Sequence, residues 1–268
     1  VSNPIKRAPI SAGRTARLYR PRPARQLRLY LCHSLICKHI SNSAQRVAPL
    51  WAANKPAIVS TAFGNAKIIA SKKAGIEDRG DNNVTTLSGN ASIEITAAAG
   101  NGVGIDSNGN SNTITLSDNE KITTAGTNAG IGIQLSGATG NNIVTMSRNT
   151  EISTTGPSSD GIYVYDGNNN EIYIAGKVQV TGASSNALYI EAANNNAITL
   201  QEGALIIGPI LTDNTFASGS VLNIDVGLAT SYIYTTTGSW TVNELDGRTY
   251  SNVGGIVSAL SAGNSETA

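Results

Sequence analysis

Three tyrosines and one acid are the residues whose type and spacing best suit chemistry. Tyr163 and Tyr189 stand in two short apolar alternations, Ile162-Tyr-Val164 and Leu188-Tyr-Ile190, and Tyr165 and Glu191 directly follow them. Strands alternate their side chains between two faces, so the tyrosines share an outward face and would present flat rings to a sugar. Aligning the third strands of successive repeats gives two outward columns. One runs Gly104, Gly132, Tyr163, Tyr189, Asn223 and the other Asp106, Gln134, Tyr165, Glu191, Asp225. This alignment puts Glu191 beside Asp225 at about the 5 Å spacing of neighbouring strands, a separation that suits a retaining glycosidase. Catalytic carboxylates need a cleft that raises one pKa, and nothing basic accompanies the column. No catalytic residue is therefore expected, and the four named residues are read as a ligand-contact face.

Other constellations carry less. Asp106-Ser-Asn-Gly-Asn-Ser-Asn112 and the run from Asp160 to Asn170 imitate calcium loops, but position 12 counted from Asp106 is Ser117, where an EF-hand needs an acid. Cys32, His33, Cys37 and His39 fit no standard zinc spacing. Both histidines lie before residue 50, so a Ser/His/Asp triad cannot form within the repeats. No metal and no cofactor are expected.

What must position the tyrosines is a repeat. Asn112-Thr-Ile-Thr-Leu116, Asn142-Ile-Val-Thr-Met146, Asn170-Glu-Ile-Tyr-Ile174 and Asn196-Ala-Ile-Thr-Leu200 restate one phrase, and Asn83-Val-Thr-Thr-Leu87 is a looser copy. The Asn recurs at intervals of 29, 30, 28 and 26 residues, a period that marks a stacked-repeat architecture. Each interval holds three brief apolar alternations separated by Gly, Asn, Ser and Thr. The fold class predicted is all-β: a right-handed parallel β-helix with three strands per coil and about five coils, its inward rows filled by Ile, Val and Leu. One coil cannot offset its own ordering entropy, so copies must stack. Asn83, Asn112, Asn142, Asn170 and Asn196 are expected to form a structural ladder, each taking the left-handed backbone of a corner and repeating at the strand spacing.

Charge divides the 268 residues. Residues 1–76 hold 14 Lys or Arg and no acid, whereas residues 77–268 hold 5 basic residues and all 18 acids. Residues 1–50 are read as a basic arm or non-native leader without structure, the alternatives being an Arg-rich targeting peptide or an arm for nucleic acid or anionic membrane. The reading adopted assigns no nucleic-acid partner. Residues 51–81 approach or cap the stack, 82–227 are the repeats, and 228–268 form a cap. There Ser231–Val242 reads as a hairpin around Thr-Thr-Gly, and the tail has the look of a truncated one. Leu222-Asn-Ile224 reads as the third strand of the last coil. No segment has the roughly 20 apolar residues of a transmembrane helix.

Residues 82–227, with their Asn-x-Ile-x-Leu openings, Gly-Ile-x-Ile third strands and Ser/Thr/Asn/Gly corners, resemble the β-helical passenger region of bacterial autotransporters. Trp240-Thr-Val-Asn-Glu-Leu-Asp-Gly-Arg248 is similar to the end of a passenger ahead of its barrel. The resemblance implies secretion or display at the cell surface, an outer-membrane barrel of its own in the full-length protein, and adhesion or virulence through a host-surface glycan or protein. It implies no transferable site residues, and the chain shows neither a signal peptide nor barrel strands. The function expected is a non-enzymatic β-helical stalk or adhesin fragment. Two alternatives are a polysaccharide-binding or polysaccharide-degrading β-helix with a pectate-lyase-like fold and a trimeric phage tail-fibre β-helix.

Overall fold

The computed structural model describes residues 59–70, 74–96, 102–125, 130–137, 139–213 and 218–261, together with the backbone of Arg28–His33 and Ile36–Ser41. Among the described residues there is no helix, hence none long and apolar enough to cross a membrane. The chain winds as a parallel β-helix of about six turns, whose strands fall into three walls. The first wall holds the strands that open each coil, from Val59–Phe63 through Thr113–Ser117, Ile143–Met146 and Glu171–Ile174 to Val221–Asp225 and Thr241–Glu244. The second runs from Lys67–Ala70 to Leu205–Ile207. The third runs from Ala74–Arg79 through Gly130–Ser136, Ile162–Asp166 and Leu188–Ala192 to Tyr232–Thr237.

The lumen is filled by rows of like residues, one from each coil. Leu87, Leu116, Met146, Ile174, Leu200 and Ile224 line the first wall, each paired in register with the next and each fully buried. Ile93, Ile122, Ile152 and Val178 do the same on the second. Burying such side chains contributes about 1.5–3 kcal/mol apiece. Polar side chains interrupt the rows at Thr124, Thr154 and Thr212, and an acid does so in the first coils, where Asp78 is 2% exposed and accepts hydrogen bonds from the hydroxyls of Ser60 and Thr85. Burial pushes its carboxyl above the usual range, despite those two bonds.

The asparagine ladder has a specific form. The backbone N–H of Asn83 donates to Oδ1 of Asn112 (2.7 Å), that of Asn112 to Asn142 (2.8 Å), that of Asn142 to Asn170 (2.9 Å) and that of Asn170 to Asn196 (2.9 Å). All five asparagines are buried. The left-handed conformation expected of them belongs instead to the residue before each one: Asn82, Ser111, Asn141, Asn169 and Asn195, with φ between 54° and 59°. The preceding residue turns the corner, and this frees the ladder Asn to aim its amide along the stack.

A second column sets the bend that opens the third wall. A Cβ on Gly104 would lie 2.4 Å from the carbonyl oxygen of Gly132 and 2.4 Å from Cγ2 of Ile122; one on Gly132 would lie 2.4 Å from the Gly161 oxygen and 2.3 Å from Cγ2 of Ile152. Period-2 alternation lapses there, and the four residues Gly102–Ile105 are all buried, as are Gly130–Ile133.

The C-terminal segment departs from expectation. Tyr232–Thr237 and Thr241–Glu244 do not pair as a hairpin: the first extends the third wall and the second the first wall. The antiparallel cap is made by Ile256–Ala259, which runs back along Tyr232–Thr237 and pairs with Ser251–Val253. Likewise Val221–Asp225, read as a third strand, pairs with Ala197–Gln201 on the first wall, because the third strand of that coil is the short Ile210–Thr212. Parallel stacking starts at Val59, which pairs with Val84. In the basic arm, Arg28–His33 and Ile36–Ser41 form an antiparallel pair with Cys32 opposite Cys37. The rest of the arm, and the side chains of Cys32, His33, Cys37 and His39, lie outside the described residues.

Candidate functional site

The outward face of the third wall carries a column that pairs Glu77 with Asp106, Asp106 with Gln134, Gln134 with Tyr163, Tyr163 with Tyr189 and Tyr189 with Leu211. The expected columns change membership: Asp106 and Gln134 line up with Tyr163 rather than Tyr165, and Asn223 and Asp225 belong to the first wall, Asn223 opposite Thr199. Gly132 does not precede Tyr163, because the second Gly-Ile of Gly130-Ile-Gly-Ile133, rather than the first, aligns with Gly161-Ile162. Asp225 is opposite Gln201 on the first wall, so the pair Glu191 and Asp225 does not exist and the retaining-glycosidase spacing goes with it.

The tyrosines do come together. The Tyr163 and Tyr189 rings are stacked with centroids 5.2 Å apart and an interplanar angle of 23°, and Tyr165 lies tilted against Tyr163 at 5.9 Å. Such pairs contribute about 0.5–1.5 kcal/mol beyond their buried area. Tyr163 also leans on a small apolar cluster of Ala74, Val103 and Ile131 beside the glycine bend. Tyr165 remains 49% exposed.

Acids surround this platform. The Tyr163 hydroxyl donates to Oε2 of Glu191, and Oδ1 of Asp160 accepts from both the backbone N–H (2.8 Å) and the side-chain amide (3.0 Å) of Asn186. Burial, and then the bond to Glu191, hold the Tyr163 phenol far above its ordinary value. Burial followed by the charges of Glu191, Asp213 and Asp160 raises Tyr189, and burial raises Asp160 despite the bonds from Asn186. The rings are therefore neutral, and their faces sit in a negative field.

Charge sorts by wall. Among the described residues, the only Lys or Arg in the strands of the third wall is Arg79, whose Nε is 2.7 Å from Glu77. Lys67, Lys121 and Lys177 all stand on the second wall, paired with Glu94 (2.6 Å) and, for the latter two, with Glu151 (3.0 and 3.3 Å). No group of three or more His, Cys, Asp or Glu among the described residues is placed to hold a metal ion.

One cluster gave no early signal. Arg248 donates to Asp246 through Nε (2.9 Å) and Nη2 (2.7 Å), to the carbonyl oxygens of Thr230 and Leu260 through Nη1, and lies 5.2 Å over the Tyr232 ring. Tyr232 donates its hydroxyl to Glu244. The cluster lines an open groove of about 790 Å³ at the C-terminal cap. Because the guanidinium is spent on the protein's own acceptors, it clamps the cap and offers nothing to a ligand. Burial and the neighbouring Asp246 push the Glu244 carboxyl up to about 7. The alternating spacing of Glu244, Asp246 and Arg248 is visible in the sequence, but Thr230, Tyr232 and Leu260 reach the cluster from elsewhere in the cap.

Searches of protein-family models, curated proteins and solved structures return no match to this chain.

Proposed function

We propose that the chain is a non-enzymatic β-helical stalk of a secreted or cell-surface protein, and that its third wall carries a glycan-contact face made by Tyr163, Tyr165, Tyr189 and Glu191. The observation that carries this reading is the Tyr163–Tyr189 stack on adjacent coils with the exposed ring of Tyr165 beside it. A rigid solenoid fixes such rings at the strand spacing without ordering cost at binding, and a flat apolar ring face suits the C–H face of a pyranose. The absence of a catalytic step is part of the proposal: the acids at the face are committed to Tyr163 and Asn186. The autotransporter-like repeat supports the surface setting.

The test is co-sedimentation of the chain with a panel of insoluble polysaccharides, comparing wild type with Y165A and Y189A. Each variant should lose about 3- to 10-fold in affinity, the equivalent of roughly 0.5–1.5 kcal/mol per ring. Wild-type binding that both variants retain, or no binding to any polysaccharide, overturns the reading. Release of reducing ends that falls in E191Q would show an enzyme instead.

A further inference from the structure

Charge says which glycan fits. We propose that the third-wall face takes a polymer of protonated amines, an amino-sugar chain with free rather than N-acetylated amino groups. This rests on the glycan reading above and adds the sign of the ligand.

Three observations support it. The outward column runs from an acid, Asp106, through Gln134 to the aromatic pair Tyr163 and Tyr189, whereas Glu77 one strand earlier is buried and held by Arg79. Glu191 accepts the Tyr163 hydroxyl, Asp213 follows Thr212, which pairs with Ile190, and so stands beside Glu191, and Asp160 holds Asn186 just ahead of Ile162–Asp166. Among the described residues the strands of this wall carry no basic side chain but Arg79, which is paired with Glu77, and Arg248 over Tyr232 at the cap is held by Asp246, while Lys67, Lys121 and Lys177 populate the second wall. A uronic-acid polymer would meet like charge at Asp106, Glu191 and Asp213, and a neutral one would gain only ring stacking. An ammonium gains Coulomb attraction to the carboxylates and sits favourably over a tyrosine face, an interaction of about 0.5–1 kcal/mol at exposed sites. Geometry agrees with charge: the coils advance by roughly 4.8 Å, close to the length of one β-1,4-linked pyranose, so consecutive sugars would track consecutive coils with the amine of one over Tyr165 and the next beside an acid.

The experiment compares three immobilised polymers at pH 6 with the full chain: polyglucosamine, the same polymer after complete N-acetylation, and polygalacturonate. Polyglucosamine should bind at least 10-fold tighter than its acetylated form, and polygalacturonate should not bind. Y165A and E191Q should each weaken polyglucosamine binding 3-fold or more, E191Q while keeping an acceptor for the Tyr163 hydroxyl. E202Q, which neutralises an acid paired with Arg148 in a turn away from this wall, should leave it unchanged. Equal binding to the free-amine and acetylated polymers, weakened by Y165A, overturns the charge inference and leaves the glycan face standing. Polyglucosamine binding that E202Q weakens as much as E191Q, with Y165A silent, is bulk attraction to an acidic protein and overturns the inference. Binding to none of the three removes this inference, whereas the glycan reading falls only if the wider panel is also negative.

Discussion

Asn142 accepts, through Oδ1, the backbone N–H of Asn112 one coil earlier at 2.8 Å, while its own N–H is taken by Asn170 at 2.9 Å. Each ladder residue thus serves the coil behind it and is served by the coil ahead. N142A would leave the buried N–H of Asn112 without an acceptor, a cost of about 1–3 kcal/mol. N142G should cost at least as much, since no positive φ is relieved. At the neighbouring Asn141, with φ 57°, the order reverses: N141G is near neutral and N141A costs about 1–2 kcal/mol. Urea unfolding of the four variants checks the contrast, and equal effects of Gly at both positions would refute it.

The glycine bend predicts a steric ranking. G132A drives a methyl to 2.4 Å from the Gly161 carbonyl oxygen and 2.3 Å from Ile152, and because the oxygen belongs to the backbone it cannot swing aside. A loss of about 3 kcal/mol or more is expected, at the upper end of overpacking effects. Gly247, also at positive φ (81°), has nothing within 4 Å of the added methyl. G247A should therefore cost only the strain of the left-handed backbone, about 1–2 kcal/mol. Melting curves of the two variants measure the difference.

The cap should respond to pH. Glu244 is raised from an ordinary 4.5 to about 7 when folded, mainly by burial and then by Asp246, with Tyr232, Tyr234 and Arg248 the other groups facing it. A raised folded pKa means the native state holds the proton more tightly. Its stabilisation is therefore complete below about 4.5 and is lost as pH rises through 7. Asp246 is shifted the other way, burial being outweighed by its bonds to Arg248, so its contribution is lost only on acidification below its ordinary 3.8. In a W51F background, Trp240 fluorescence should report a cap that loosens to denaturant more readily at pH 8 than at pH 5. E244Q should remove that difference, and a pH dependence unchanged in E244Q would count against the assignment.

Much of this architecture was legible because its cause is periodic. The Asn phrase marks the first wall, and the Ile and Val alternations mark the rows that fill the lumen. Errors arose where local pattern does not determine partner. Gly130-Ile-Gly-Ile133 contains the same dipeptide twice, so sequence alone does not choose which copy meets Gly161-Ile162, and matching the first copy aligns Gln134 with Tyr165 where the fold aligns it with Tyr163. Two strands around a Gly turn look alike whether they pair as a hairpin or belong to consecutive walls, which is why Tyr232–Thr237 and Thr241–Glu244 were joined. The Arg248 clamp draws on Thr230, Tyr232 and Leu260, a convergence that only the folded cap creates. The tyrosine stack was foreseeable since both rings follow the same Gly/Ala-Ile/Leu opening, Gly161-Ile162 and Ala187-Leu188.

The ladder spans 29, 30, 28 and 26 residues from one asparagine to the next, and this near-constant reach governs how assembly scales. Every new turn closes a loop of the same size against a surface already formed, so its entropic toll does not grow with chain length. Adding turns lowers the mean sequence separation of contacts relative to length, the quantity that slows most β proteins. Growth by this route is repetition of a single zippering event, and a stack twice as tall would take more steps, none of them harder than the last.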